Sequence, residues 1–199
     1  MNKIKSYKAL FICLIFAIII VAILIGIKYF KMYTNEHETK RVLAEINQKN
    51  ENAGSTEVIS EINQEIKGYK VVGIIRIPKI DLEYPILETT SIDSLNVSVT
   101  KFWGNEINEI GNVTLAGHNN LNGTSFGRIK KLEVGDKIYL TDIRNNVVEY
   151  TVFQTYVIDP NDITCILPVQ DGTRETTLIT CTTGGKNRYI VKAREEVSI

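Results

Sequence analysis

The sequence predicts an all-β domain, a sandwich or closed barrel with short helices, preceded by one N-terminal membrane-spanning helix. Two observations carry this. Residues 9–27 read ALFICLIFAIIIVAILIGI, nineteen positions without a charge, which at about 1.5 Å per residue spans roughly the hydrocarbon core of a bilayer. From Tyr69 onward, short β-branched runs alternate with Gly/Asn/Asp turn signals at even spacing, the pattern of a sandwich or barrel.

The apolar run is too long for a cleaved leader, is followed by IKYFK rather than a small-residue cleavage site, and is apolar all round, unlike a core helix. It reads as an uncleaved signal anchor. Lysines flank it on both sides, so charge alone does not orient it. The short 1–8 segment and the large C-terminal part favour a cytoplasmic N-terminus and an outward-facing remainder. The formal charge is zero over 199 residues, but residues 1–31 hold five lysines and no acid. Residues 32–199 therefore carry 18 basic and 23 acidic residues, a net of −5. A mildly acidic domain argues against nucleic acid as a partner.

Residues 28–68 read as a polar stalk without proline. Apolar positions recur at helical spacing at Val42, Leu43 and Ile46, and again at Val58, Ile59, Ile62 and Ile66, with a break near Ala53-Gly54-Ser55. This is expected to be a solvated, partly helical spacer. Residues 69–199 form the folded domain, with strands expected at 71–80, 81–87, 112–118, 136–142, 146–158, 176–181 and 188–195. Pro78 and Pro85 place the first two runs at strand ends or a sheet edge. Short helices are expected around 91–97 and 125–131.

Chemistry concentrates at strand ends. Three cysteines and two histidines, without a C-x-x-C, leave little for a zinc site or a disulfide scaffold. Cys181 ends TTLITC before a Thr-Thr-Gly-Gly turn, His118 ends NVTLAGH before Asn-Asn, and Arg188 opens RYIVKARE. A thiol and an imidazole on strand ends are the minimum for a cysteine nucleophile. A cation nearby favours the thiolate, and a guanidinium can hold an oxyanion. Spacing alone favours a structural cysteine, a loop histidine and a surface arginine over a catalytic row. Cys165 matches no such pattern, although a Cys165–Cys181 disulfide is conceivable in an extracellular domain.

The chain resembles the sortases, membrane-anchored transpeptidases of Gram-positive bacteria. Thr177-Leu178-Ile179-Thr180-Cys181 matches the family's T-L-x-T-C, and Ala116-Gly117-His118 matches its A-G-H. Arg188 begins the strand after the cysteine, and Ile75-Arg76-Ile77-Pro78-Lys79-Ile80 matches the I-x-I-P-x-I opening. The stretch from Phe126 through Leu132 to Gly135-Asp136 resembles the family's helix and turn after the histidine. The resemblance covers roughly 70–199 and implies a closed eight-stranded β-barrel. It implies that the Cys181 thiolate attacks the Thr–Gly carbonyl of an LPxTG-like sorting signal, that His118 is general acid and then base, and that Arg188 holds the substrate or oxyanion. It implies a substrate-orienting role for Thr180. A cell-wall precursor amine then resolves the thioester, joining a secreted protein to peptidoglycan.

The short 182–187 loop and RYIV favour a class D or class A-like member. The 158–175 stretch is too short for a class B insertion, and a class C lid and second span are not found. Glu106, Glu109 and the acids of 159–175 are candidate calcium ligands that do not map cleanly, so no metal and no cofactor is expected. The alternatives are a thiol peptidase using water as acceptor and a non-enzymatic, membrane-tethered β-barrel binding module. The sequons at Asn96, Asn112 and Asn122 are chance matches in an asparagine-rich chain.

Overall fold

The computed structural model describes residues 2–52, 64–168 and 172–196 and comprises two compact units, Met1–His37 and Glu38–Ile199. Helix α1 (Asn2–Asn52) begins in the first unit. The large apolar side chains from Leu10 to Ile27 are all exposed. A helix satisfies its backbone groups internally, so such a surface suits hydrocarbon rather than water.

In the second unit the remainder of α1 is more than a solvated spacer. Val42, Leu43 and Ile46 are buried and form a small core with Ile66, Val71, Ile74, Leu87 and Val97. The Thr39 hydroxyl donates to Val97 O at 3.0 Å, and Asn47 Nδ2 donates to Glu83 Oε1 at 3.3 Å. The i, i+1, i+4 spacing found in the sequence is thus the stripe of a docked amphipathic helix. Val58, Ile59, Ile62 and the Ala53-Gly54-Ser55 break lie outside the described residues. Ile66, expected to continue a helical stripe, instead belongs to a strand.

The strands are β1 (Glu65–Ile66), β2 (Tyr69–Ile77), β3 (Leu82–Leu87), β4 (Val99–Trp103), β5 (Gly111–Ala116), β6 (Lys137–Asp142), β7 (Val147–Ile158), β8 (Arg174–Cys181) and β9 (Arg188–Glu195). They pair in the order β1-β2-β3-β4-β5-β8-β9-β7-β6, and β2 pairs again with β6, so eight strands close into a barrel with β1 appended. The pairs β3–β4 and β5–β8 are parallel, and the others are antiparallel. Inward side chains including Ile75, Ile86, Leu115, Phe126, Ile138, Leu140, Tyr150 and Leu178 are fully buried in one cluster.

Several elements differ from expectation for local reasons. The first strand stops at Ile77, because Pro78 opens a 3-10 turn that ends at Asp81 with φ 47°. Proline suits a first helical position, where its missing N–H costs nothing. Pro85 sits within β3, opposite Ile74, and its carbonyl accepts the Ser98 hydroxyl at 2.6 Å. Strand β4 has no clean alternation because its register shifts between Lys101 and Trp103. The expected helix at 125–131 is a 3-10 turn over Ile129–Lys131, and a second such turn, Thr164–Ile166, interrupts the β7–β8 connection. Helix α2 (Ile92–Leu95) is set by a Ser91/Ser94 capping box.

Buried polar groups lock the barrel bottom. Asn108, at φ 66°, donates from Nδ2 to Leu140 O (3.0 Å) and Asn146 O (2.9 Å) and accepts from the Tyr150 hydroxyl (3.1 Å). Burial, first, holds the Tyr150 phenol far above its ordinary pKa, so it remains a donor at any working pH.

Deleting residues 1–37 is expected to leave the second unit folded with an unchanged far-UV β spectrum. Deleting residues 1–52 removes three buried aliphatic side chains and should cost on the order of 5 kcal/mol, read as a lowered urea midpoint against the shorter deletion. Equal midpoints would show that the 38–52 segment contributes nothing to the fold.

Candidate active site

Strand direction places the three chemistry-bearing residues at one edge. In the parallel β5–β8 pair, Ala116 lies opposite Ile179, and Gly117 N donates to Ile179 O at 3.2 Å. Continuing that register brings His118 level with Cys181. In the antiparallel β8–β9 pair, Cys181 lies directly opposite Arg188. His118, Cys181 and Arg188 therefore occupy one row across three neighbouring strands, each spacing being about 4.8 Å. Side chains alternate faces along a strand. Leu115, Leu178 and Val191 point into the core, so the three row residues, of opposite parity, lie on the outer face. All three are half-buried.

Local sequence explains each position. A Cβ at Gly117 would come within 2.7 Å of the Phe126 ring and 2.8 Å of Ser125 Oγ, so glycine is required where the chain passes under the following segment. His118 O then accepts from Phe126 N at 3.0 Å. Burial lowers the His118 pKa below its ordinary value, because an imidazolium loses hydration there. After Cys181 the chain reverses through Gly184 and Gly185, at φ 85° and 74°, and Thr182 N donates to Asn187 O at 2.9 Å. That tight reversal delivers Arg188 opposite Cys181. Arg188 Nη1 donates to Gly185 O (3.3 Å) and Asn187 O (3.4 Å).

Thr180 lies on the other face of β8 from Cys181. It is 4% exposed, shares the core-facing parity of Leu178, and donates its hydroxyl to Gly117 O at 2.7 Å. Its alternating position takes it off the outer face, and its hydroxyl bridges the His118 and Cys181 strands.

The far end of the outer face is roofed. Asn112 Nδ2 donates to Cys165 O (3.1 Å) and Leu167 O (3.3 Å), and the Thr177 hydroxyl donates to Asn112 Oδ1 (2.9 Å). The β7–β8 connection is thereby strapped over β5 and β8 at the end away from Cys181. Cys165 is buried in that strap, and Cys13, Cys165 and Cys181 are all free thiols. Burial raises the Cys165 pKa, which disfavours its thiolate. Of the calcium candidates, Glu106 pairs with Lys101 Nζ at 2.5 Å, and Glu109 Oε2 accepts from Glu106 N at 3.4 Å. Among the acids of 159–175, Asp171 lies outside the described residues.

Sequence reasoning did not single out Asn119, whose Nδ2 donates to Cys181 O at 2.8 Å. The signal available was its place beside His118 in an Asn-Asn pair, indistinguishable from an ordinary turn.

A family model for the sortase domain matches residues 75–196. Sortase A of Bacillus anthracis is 30% identical over 205 residues, covering 96% of this chain and 95% of that protein. Sortase A of Listeria monocytogenes is 38% identical over 112 residues, covering 56% of this chain and 49% of that protein. A solved sortase D5 transpeptidase from Clostridium perfringens superposes with a TM-score of 0.64 at 30% identity, covering 81% of this chain and 99% of that one. A Clostridium perfringens sortase C structure with a C-terminal cell wall sorting motif gives a TM-score of 0.58 at 28% identity, covering 81% and 91%. With the barrel topology and the row of thiol, imidazole and guanidinium, these likenesses establish that the chain belongs to the sortase family of cysteine transpeptidases.

Proposed function

We propose that this protein cleaves an LPxTG-like sorting signal between Thr and Gly and joins the acyl fragment to a cell-wall precursor amine, with Cys181 as nucleophile. The observation that carries the reading is the single outer-face row of His118, Cys181 and Arg188 at the end of the barrel away from the β7–β8 strap. The sorting motif present with the similar sortase C supports the substrate class.

In this reading the Cys181 thiolate adds to the threonine carbonyl, and the resulting oxyanion takes hydrogen bonds from Arg188. Arginine carries five N–H donors in a planar fork, so its loop contacts leave donors for substrate. As the tetrahedral intermediate collapses, the C–N bond breaks and His118, protonated, delivers its proton to the departing glycine amine. The incoming amine then adds to the thioester carbonyl, His118 takes a proton from it, and the C–S bond breaks, restoring the Cys181 thiolate and the protonated His118. Thr180 acts as a positioning residue through Gly117 O. The exposed helix over 9–27 serves as a membrane anchor, with the barrel on the outer side where secreted substrate and wall precursor meet. Class D or class A-like membership is part of the same proposal.

Incubating the barrel with LPxTG-like peptide should give a Cys181 thioester by mass spectrometry, and an added amine should convert it to ligated product. Cys181→Ala should show neither, whereas Cys165→Ala should retain most turnover. A labelled Cys165 would assign the nucleophile wrongly, and release of acid alone with every amine tried would favour the thiol peptidase.

Arg188→Lys keeps the charge but loses the fork. Its kcat/KM should fall roughly a hundredfold or more, the loss of one oxyanion-type donor. Near-unchanged turnover would reduce Arg188 to a general electrostatic role.

The pH dependence of kcat/KM should be bell-shaped, its limbs being macroscopic values of the whole site. Because burial lowers the His118 pKa, the acid limb should lie below the ordinary histidine value. The same shift makes protonation of His118 costly to the fold. Its contribution to stability is present above the ordinary histidine pKa and is lost as pH falls below it. An acid limb above the ordinary value would contradict the burial argument.

A further inference from the structure

We infer that Asn119 is a positioning residue for this chemistry, holding the Cys181 backbone level with His118 by lending a side-chain donor where the strand ladder has run out; this rests on the transpeptidase reading above. The argument begins with the parallel ladder. Gly117 N donates to Ile179 O at 3.2 Å, and in a regular parallel pair the next donor, two residues on, would be the N–H of residue 119, directed at the carbonyl of residue 181. Among the described residues no bond runs from Asn119 N to Cys181 O. The chain leaves β8 here, forming an isolated bridge between Asn119 and Ser125 and a bond from Phe126 N to His118 O. The Cys181 carbonyl would thus lose its ladder partner at the residue whose sulfur must be placed. Asn119 Nδ2 takes over, donating to Cys181 O at 2.8 Å from a half-buried position.

The side chain therefore completes the ladder beyond the point where the backbone departs. On the opposite face of the same strand pair, Thr180 Oγ1 donates to Gly117 O at 2.7 Å. Two side-chain bonds, one on each side of the His118–Cys181 level, tie the strand ends together. Chemistry of this kind is sensitive to placement, since a misplacement of about 1 Å can cost on the order of a hundredfold in rate. Asparagine suits the task because its amide donates, whereas a carboxylate of the same shape only accepts.

The test compares Asn119→Ala and the isosteric Asn119→Asp with wild type. One partly exposed hydrogen bond contributes about 1 kcal/mol, so both variants should fold with melting points near wild type. Each is expected to lose at least tenfold in kcat with KM within about twofold, with Asp no better than Ala. In parallel, the rate of Cys181 alkylation by iodoacetamide is followed against pH in the substrate-free protein, where the His118-dependent limb should move in both variants. Wild-type kcat in Asn119→Asp, or a loss confined to KM, overturns the inference. An unmoved alkylation profile also overturns it. Because alkylation needs no peptide, a wild type inert to sorting peptides but with variants shifted in alkylation would sink the transpeptidase reading and leave the positioning of Cys181 by Asn119 standing.

Discussion

Everything at the Cys181 edge of the barrel follows from β5 and β8 being parallel neighbours. Two parallel strands finish at the same edge, so the residues that end them arrive together even though His118 and Cys181 lie far apart in sequence. The next strand, β9, is antiparallel to β8 and begins where β8 ends. Its first residue, Arg188, is therefore delivered to that edge by a reversal of only six residues, 182–187. Had β5 paired antiparallel to β8, His118 would sit at the opposite end of the sheet. A parallel pair requires a long crossover, and the chain between the two strands supplies it by building β6 and β7, which close the barrel through β2.

The same crossover roofs part of the outer face. Asn112 and Thr177 hold the carbonyls of Cys165 and Leu167, so the strap is fixed by buried, satisfied polar groups and not by apolar packing alone. Glu175, 2% exposed, is flanked there by Lys192 and Arg194. A carboxylate so placed would be costly without its partners, and breaking such a pair is more damaging than never having made it. With Asn108 binding β6, the 146 turn and Tyr150, these networks give the strands beneath Cys181 a single register. If Cys181 is the nucleophile proposed above, that rigidity serves it, because covalent chemistry is sensitive to misplacement of its neighbours.

Much of this was legible in the sequence. The β-branched runs of β2, β5, β8 and β9 and the Gly/Asn turns between them marked most of the barrel, because residue type and turn chemistry are local properties. The uncharged 9–27 stretch was equally plain. Strand β4 was not legible, since Val99–Trp103 is a short run with no turn signal just before it, and its pairing with β5 is irregular at Lys101–Trp103. The helical stripe at Val42, Leu43 and Ile46 was visible, yet its burial against Val71, Ile74 and Leu87 depends on a partner surface that exists only once the barrel has formed.

The sequence by itself determined the residue types at the strand ends, the family motifs around Cys181, His118 and Arg188, and the glycine before the histidine. Tertiary structure alone decided what those residues share. The alternation of β8 turns Thr180 to the core side, where it donates to Gly117 O, and the departure of the chain at residue 119 makes an asparagine side chain the partner of the Cys181 carbonyl. The reason is physical. Motif and spacing are encoded along the chain, whereas register, face and hydrogen-bond partner are set by which strand lies alongside and in which direction it runs.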